Sequence, residues 1–307
     1  MTRKPVTNIA ASVYDQLINK ARETNRPFDE WLRYFAMERF LYRLSMSSHA
    51  NRFVLKGALM FKVWHVDIPR PTLDIDLLGM REVIEQVDAI VREVCRSRVE
   101  PGDGLSFDPV SVKSGPITEE GDFEGVRVSF MGKLVNARIP MQIDVGFGTV
   151  SPVQVDLPPI LDFPHARLKG YTRETSIAEK FSAMVKHDIL NSRMKDFFDI
   201  WVLSRRFDFD GANLARAVSG TFGQRGDAVP AKPLALTPAF SGNETKVVQW
   251  RAFLRKQRLG QYAPDSLSKV VEDIAVFLGP VAIALAAGKP FKMKWPAGGP
   301  WSWKILA

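Results

Sequence analysis

The stretch that decides the fold spans residues 52–78, opening with Arg-Phe-Val-Leu-Lys-Gly and closing with Leu-Asp-Ile-Asp-Leu-Leu. Its first part predicts a short buried strand at residues 53–55, which Lys56 and Gly57 interrupt before a short helix begins. A strand, a glycine and a helix in this order turn backbone N–H groups towards an anion. The opening of the stretch therefore predicts a phosphate-binding turn.

The end of the same stretch alternates apolar and acidic residues. With a period of two, a strand there places Asp74 and Asp76 on one face and its aliphatic residues on the other. Two carboxylates roughly 7 Å apart on a strand repel each other, and a hard divalent ion such as Mg²⁺ relieves the repulsion through oxygen ligands. A solvated strand face is the alternative. The aliphatic neighbours Leu73, Ile75 and Leu77 predict a buried strand and so favour the metal site.

Length and composition narrow the class of protein. The chain has 307 residues, of which 46% are hydrophobic and 25% are charged, and this suits a globular protein of two domains. It contains no apolar run of 18 residues and no apolar signal core near its start, so we expect a cytoplasmic protein without a membrane partner. The one cysteine, Cys95, is expected to pack in the interior.

The net charge of +8 is unevenly distributed. From Thr245 onward there are ten Lys and Arg against three Asp and Glu, whereas the other 244 residues hold 32 against 31. Such a basic C-terminal segment predicts binding to a polyanion, since phosphate contacts supply most non-specific affinity for nucleic acids. A solvated surface that only keeps the protein in solution is the alternative.

Hydrophobic periodicity outlines the order of elements. Helices are predicted at residues 9–22, 28–44 and 82–98, the first two as a lid or brace. Strands are predicted at residues 105–112, 125–131 and 137–147. Residues 150–172 are rich in proline and predict a linker.

A third acidic residue interrupts the last of these strands. Asp144 lies in an otherwise apolar run, where an unpaired charge would cost several kcal/mol, roughly 3 or more. We expect strand pairing to bring it beside Asp74 and Asp76. An ion pair with Arg127 or Arg138 is the alternative.

The remainder of the chain predicts a helical region. Ser176 and Glu179 have the spacing of a capping box that would start a helix carrying Lys180. A second helix would begin near Asp196, which could itself cap that helix. Further helices are predicted at residues 207–222, 247–259 and 267–278, and a loop at residues 223–242. Tryptophans near the C-terminus could stack on bases or pack against the helices: Trp295, Trp301 and Trp303.

Four motifs, in order, carry a family resemblance. They are Lys-Gly-Ala at 56–58, Arg-Pro-Thr-Leu-Asp-Ile-Asp-Leu at 70–77, Ala-Glu-Lys-Phe at 178–181 and Lys-Asp-Phe-Phe-Asp-Ile at 195–200. Together they resemble the motifs of AbiEii-type nucleotidyltransferases, the toxin halves of bacterial toxin and antitoxin pairs. The first motif departs from the family pattern, because Ala58 and Leu59 stand where a second small residue and a hydroxyl are common.

The resemblance implies an α+β fold with a DNA polymerase beta-like nucleotidyltransferase core, a mixed sheet with flanking helices. Together with the order of elements it predicts an N-terminal helical segment at residues 1–50, the core at 51–160 and a helical C-terminal lobe at 161–307, whose basic surface follows from the charge count. It further implies transfer of a nucleoside monophosphate from an NTP to RNA, with the tRNA 3′ end as the expected acceptor. A separately encoded antitoxin would be the protein partner.

The motifs and the third acidic residue together give the candidate site residues. Asp74, Asp76 and Asp144 would hold two Mg²⁺ or Mn²⁺ ions, and Asp144 could also accept the proton of the attacking hydroxyl.

Cations are expected to hold the triphosphate. Lys56 and the Gly57 turn would bind its oxygens, Lys180 would reach the same phosphates, and Arg70 is a further candidate. Asp196 would bind or orient Lys180.

Two other function classes stay open. One is the same chemistry on a small molecule, which the basic C-terminal segment disfavours. The other is nucleotide or RNA binding without catalysis, which the intact acidic and lysine motifs disfavour.

Overall fold

The structure, a computed structural model, describes residues 8–66, 72–117 and 125–303. Arg70 lies outside these residues. The described chain forms two compact units, the first ending at Tyr171 and the second beginning at Thr172.

The first unit contains a seven-stranded mixed sheet and four helices. Its helices are α1 (Ile9–Thr24), α2 (Phe28–Ser45), the one-turn α3 (Met60–Val63) and α4 (Val87–Arg96). Its strands are β1 (Phe53–Lys56), β2 (Ile75–Gly79), β3 (Leu105–Pro116), β4 (Gly125–Leu134), β5 (Ala137–Phe147), β6 (Val153–Leu157) and β7 (Ala166–Gly170). The predicted α+β class, a mixed sheet with flanking helices, is confirmed.

The strand order is β3-β4-β5-β2-β1-β7-β6. The central strands β1 and β2 are antiparallel to each other, while β2 is parallel to β5 and β1 is parallel to β7. Ile75 and Leu77 belong to the main hydrophobic core, while Leu78 packs with Val54 in a separate small cluster. The period-two alternation of β2 therefore separates its two faces, as predicted.

Helix α2 is enclosed in this unit and is not a lid. It packs against β5 and β7, and it also contacts α1 and α4. Its residues 34–44 are all buried. An apolar stripe is typical of a helix with one solvent-facing side, but the charged residues between the apolar positions, Glu38, Arg39 and Arg43, are buried as well.

Residues 150–172 do not form a linker. They supply β6 and β7, and β7 pairs in parallel with β1 at the centre of the sheet. Val155, Leu157, Ala166 and Leu168 are buried on alternate positions, a strand pattern that the intervening prolines obscured.

Two arginines of α2 enter a buried charge network. Arg43 donates from its two terminal nitrogens to both carboxylate oxygens of Asp103 at 2.7 and 2.9 Å, and Arg39 Nε donates to the same carboxylate at 3.0 Å. Arg39 also donates to Glu38 at 2.9 Å and to the carbonyl of Pro164 at 2.7 Å. The network ties the segments around Asp103 and Pro164 to α2, and losing one partner of such a pair typically costs about 3–5 kcal/mol.

Glu38 makes this network sensitive to pH. Burial raises the pKa of Glu38 to about 7, and attraction to Arg39 offsets only part of that rise. For Asp103, burial acts in the same direction, but the hydrogen bonds and charge of Arg43 and the hydrogen bond from Arg39 lower the pKa below its usual range. The two carboxyl groups of one network therefore differ in protonation near neutral pH.

We expect Glu38→Gln to remove part of the pH dependence of stability. The pKa of Glu38 rises from 4.5 to about 7 on folding, so the folded protein keeps a proton that the unfolded chain has released between these values. The free energy of unfolding of the wild type therefore falls as pH rises through this window, by up to about 3 kcal/mol. Urea unfolding at a series of pH values measures this. Across the window the free energy of unfolding of the variant should rise relative to that of the wild type, whereas a constant difference between the two proteins would contradict the assignment.

The second unit is helical. Its helices are α5 (Arg173–His187), α6 (Met194–Arg206), α7 (Gly211–Gln224), the one-turn α8 (Pro238–Ser241), α9 (Glu244–Gln257) and α10 (Leu267–Ala286). A small two-stranded sheet pairs β8 (Phe209–Asp210) with β9 (Lys294–Trp295). The predicted C-terminal helices are confirmed, and α10 continues through Pro280.

The cap of α5 was predicted wrongly. The N-cap is Thr172, whose hydroxyl accepts from the backbone N–H of Thr175, and the helix begins at Arg173. Ser176 is buried inside the helix. Both threonine and serine occur with suitable spacing here, so the sequence offers two competing caps.

Two of the three C-terminal tryptophans are packed. Trp295 and Trp301 are buried, and their ring N–H groups donate to the carbonyls of Ser204 and Phe277. Trp303 is 75% exposed. Packing therefore accounts for two of the three rings.

Within the described part of the chain, no helix combines the length and apolarity needed to span a membrane. Cys95 is buried, and burial raises its pKa to about 12, in agreement with a packing role.

Candidate active site

Three carboxylates meet on one face of the sheet in the first unit. Asp76 of β2 lies in register with Asp144 of the parallel strand β5, and Asp74 immediately precedes β2. One oxygen from each lies within 4.8 Å of the others. The hydroxyl of Thr72 donates to Asp74 Oδ1 at 3.1 Å and so orients that carboxylate. Strand alternation and strand register together bring the three predicted acids into one cluster.

The flanks of β2 are less buried than expected. Ile75 and Leu77 lie in the core, but Leu73 is 64% exposed. The reason is that β2 begins at Ile75, so Leu73 lies ahead of the strand.

The acidic pair belongs to a longer charged row. Lys56 of β1 is in register with Asp76, and Arg127 of β4 is in register with Asp144. Residues in register across neighbouring strands project on the same side of a sheet. Four adjacent strands therefore present Arg127, Asp144, Asp76 and Lys56 in that order, with the two acids between two cations.

Lys56 extends towards β5. A Cβ placed on Gly146 would lie 3.5 Å from the Lys56 ammonium. The lysine thus stands on the carboxylate face of the sheet, where its sequence motif predicts contact with phosphate.

Gly57 is required by geometry and by conformation. Its φ is +71°, in the left-handed region that favours glycine, and an added Cβ would lie 1.9 Å from Asp76 Oδ2. No side chain fits at such a distance. Gly57 therefore gives Asp76 the space that its carboxylate occupies, a role that the motif alone did not suggest.

Arg127 forms a two-pronged pair with Asp144. Its Nε and Nη2 donate to the two carboxylate oxygens at 2.8 and 2.6 Å, and Gln142 donates to Oδ1 at 3.2 Å. Asp144 therefore lies in the acidic cluster and also pairs with Arg127, so the structure contains both arrangements that the sequence left open.

The acidic cluster suits a divalent ion such as Mg²⁺. All three donors are hard carboxylate oxygens, the ligands that Mg²⁺ prefers, and opposite ligands of Mg²⁺ lie roughly 4.2 Å apart. The observed spread of 4.8 Å at most is close to this separation.

A second group of charges surrounds Lys180 in the second unit. Lys180 Nζ lies 3.2 Å from Asp196 Oδ1 and 2.8 Å from Asp199 Oδ2, and Arg193 Nε donates to Asp196 Oδ2 at 2.7 Å. Both aspartates are fully buried. Burial acts to raise the pKa of Asp196, but the charges of Lys180 and Arg193 lower it overall. Asp196 is therefore ionised and oriented towards Lys180, and it does not cap α6.

Sequence reasoning missed Arg193, a member of this group, and Lys246, which holds the segment before it. Arg193 precedes Asp196 by three residues at the start of α6, and this spacing predicts an ion pair between them. Lys246, counted among the basic surface residues, is buried, and its Nζ donates to the carbonyl of Asn191 at 2.9 Å. It anchors the segment that leads into Arg193.

The other basic residues of α9 and its C-cap are at the surface. Four of them are exposed: Arg251, Arg255, Lys256 and Arg258. The predicted basic surface is thus present on this helix, without the contribution of Lys246.

Two solved structures resemble the chain. JHP933 from Helicobacter pylori shares 12% identity, with 83% of this chain and 91% of that chain covered and a TM-score of 0.47. A candidate nucleotidyltransferase from H. pylori shares 12% identity, with 92% and 97% covered and a TM-score of 0.42. No curated protein matches the chain.

The profile of one protein family matches most of the sequence. It is described as the nucleotidyl transferase AbiEii toxin of a type IV toxin-antitoxin system, and it matches residues 39–272. This span contains all four described elements that carry the motifs, from β1 to α6. The chain therefore belongs to the AbiEii family of nucleotidyltransferase toxins.

Proposed function

We propose that this nucleotidyltransferase moves a nucleoside monophosphate from an NTP to the 3′ end of an RNA, with tRNA as the expected acceptor, in a reaction that depends on Mg²⁺ or Mn²⁺. The observation that carries the proposal is the cluster of Asp74, Asp76 and Asp144 beside two cations. In the cell the enzyme would act in the cytoplasm, where NTPs and tRNA occur, and its antitoxin would be a separately encoded protein.

The residues of the cluster would hold the ion and the reacting groups. When bound by the three carboxylates, the divalent ions would align the acceptor hydroxyl with the α-phosphorus and neutralise the pyrophosphate that leaves. The new bond joins the hydroxyl oxygen to the α-phosphorus, and the bond from that phosphorus to the bridging oxygen of the β-phosphate breaks. Asp144 is the proposed acceptor of the hydroxyl proton.

The triphosphate is assigned to Lys56 and Lys180. Lys56 stands on the carboxylate face of the sheet, and Lys180 is held by two buried aspartates. A lysine fixed in this way loses little side-chain entropy on binding phosphate, so Asp196 is proposed to act by positioning it. Arg70 remains a predicted phosphate contact.

One experiment tests the reaction directly. The purified protein is incubated with each of the four labelled NTPs, total RNA and Mg²⁺ or Mn²⁺, with EDTA as the control. Labelled RNA that appears with Mg²⁺ or Mn²⁺ and disappears with EDTA would support the proposal. Absence of labelled RNA with every NTP would refute it, and label on a small molecule in a cell extract would favour the alternative acceptor.

Lys180→Ala is expected to weaken NTP binding or transfer at least about tenfold, the effect of losing a charged hydrogen bond worth ~1.5–3 kcal/mol. Calorimetric titration with an NTP analogue and the labelled transfer assay measure the two effects. Lys186→Ala, an exposed lysine on the same helix, is the matched control and should behave as the wild type. Wild-type affinity and rate in Lys180→Ala would remove the residue from the site.

We expect RNA binding to weaken when the four exposed basic residues of α9 and its C-cap are replaced by glutamine. The slope of log affinity against log salt concentration (the salt slope) should fall by roughly one for each phosphate that the helix no longer neutralises. NTP binding should be unchanged. A control of equal charge change neutralises four exposed cations of the first unit and should retain RNA binding: Arg96, Arg98, Lys113 and Lys133. Wild-type RNA affinity and salt slope in the α9 variant would assign α9 to another role and favour a small-molecule acceptor.

A further inference from the structure

Arg127 holds the same carboxylate that the metal would need. Its guanidinium contacts both oxygens of Asp144, at 2.8 and 2.6 Å, from the adjacent antiparallel strand. A divalent ion bound through Asp144 would therefore lie close to the guanidinium, and the two cations would repel each other. Arg127 and the ion thus compete for Asp144.

The pair is built so that Arg127 can leave it. The arginine side chain is 44% exposed, whereas that of Asp144 is 15% exposed. Because the arginine side chain is partly exposed, water can solvate the guanidinium once it leaves Asp144, and a bound ion would then balance the charge of that carboxylate. Gln142 would still donate to Asp144 after the exchange.

The guanidinium has a second suitable partner in the proposed reaction. Its planar fork of donors matches the oxygens of a phosphate as well as those of a carboxylate. Arg127 lies at one end of the charged row and Lys56 at the other, so the two cations flank the acids on both sides. A triphosphate drawn to the ion would meet a cation on either side.

We propose that Arg127 is a substrate-binding residue that exchanges partners: Asp144 holds its guanidinium before the reaction, and the triphosphate of the NTP takes it over when the divalent ion occupies the carboxylates. This inference rests on the proposed metal site and adds to it a residue that none of the four motifs contains. Without substrate, Arg127 neutralises the Asp144 carboxylate, and in the loaded site the divalent ion would take over that role.

The test measures binding and needs no turnover. Mn²⁺ is titrated without nucleotide and followed by electron paramagnetic resonance, and then a non-hydrolysable NTP analogue is titrated in the presence of Mn²⁺. Arg127→Met should bind Mn²⁺ about fivefold tighter, because the competing cation is gone, and should bind the analogue at least about tenfold more weakly. Arg127→Lys should restore part of the analogue affinity, since it keeps the charge without the fork.

Lys133→Met is the matched control. Lys133 is an exposed cation on the same strand, in register with Arg138 and not with a carboxylate. It lies six residues further along the strand, roughly 20 Å away, beyond the range of unscreened charge effects at physiological salt. Its removal should leave both binding constants at the wild-type values.

The outcomes separate this inference from the proposed function. Wild-type constants for both Mn²⁺ and the analogue in Arg127→Met would overturn the exchange, and so would a change in only one of them, because an exchange requires both contacts. Failure of the wild type to bind Mn²⁺ would instead overturn the metal site, and the exchange with it.

Discussion

Asp76→Asn is expected to reduce nucleotidyl transfer by about 1,000-fold or more while leaving the protein folded, and Asp74→Asn is expected to do the same. Each carboxylate contributes one oxygen to the three-acid cluster. Losing a ligand of a catalytic ion removes several kcal/mol of transition-state stabilisation, roughly 4 kcal/mol for a 1,000-fold effect. The labelled transfer assay measures the loss.

We expect these variants to lose activity without losing stability. The cluster and its two cations carry three negative and two positive charges, so replacing one acid by an amide lowers the excess of like charge. The free energy of unfolding should stay within about 0.5 kcal/mol of the wild type or increase. Asp156→Asn, which removes an exposed carboxylate from β6, is the control and should keep full activity. Wild-type turnover in Asp74→Asn or Asp76→Asn would be incompatible with the proposed metal site.

Gly57→Ala is expected to lower transfer about 100-fold, although Gly57 is not itself a proposed ligand of the metal. The new methyl group would lie 1.9 Å from Asp76 Oδ2, so the carboxylate must leave its position. The positive φ of residue 57 adds backbone strain of roughly 1 kcal/mol for an alanine. Weaker Mn²⁺ binding should accompany the loss of activity, because the displaced group is Asp76.

Gly146→Ala provides the matched control for this substitution. Gly146 lies on β5 on the same side of the sheet, but an added Cβ there is 3.5 Å from Lys56 Nζ, an ordinary contact. We expect its transfer rate to remain within about threefold of the wild type. If Gly57→Ala matched Gly146→Ala in rate and in Mn²⁺ affinity, Asp76 would not need the position that the structure gives it.

The acidic cluster could be predicted because its signals are local. The alternation at residues 73–77 places Asp74 and Asp76 on one face whatever the rest of the chain does. Asp144 interrupts an apolar strand, and a buried charge requires a partner. The order of the four motifs then indicated the family, which the family profile confirmed.

The partners of these residues could be narrowed from the sequence but not chosen: Arg127 and Arg138 were both candidates for Asp144. Which residue faces Asp144 depends on the register between β4 and β5, which the sequence of either strand leaves open. The same holds for Asp103, whose pairing with Arg39 and Arg43 joins segments distant in the chain. The linker was predicted wrongly because proline is a strong local signal for loops, and the prolines near β6 and β7 obscured the alternation of buried and exposed residues in these strands.

The order of strands in the sheet has a consequence for the synthesis of this toxin. The central strands β1 and β2 come early in the chain, but their outer neighbours β7 and β5 are made much later. Pairing between distant segments is slow, because the intervening chain must be closed into a loop first. A growing chain on the ribosome therefore cannot assemble the three carboxylates before β5 has emerged, and the sheet gains its last central pairing only with β7. The proposed metal site is therefore incomplete until most of the first unit has been synthesised.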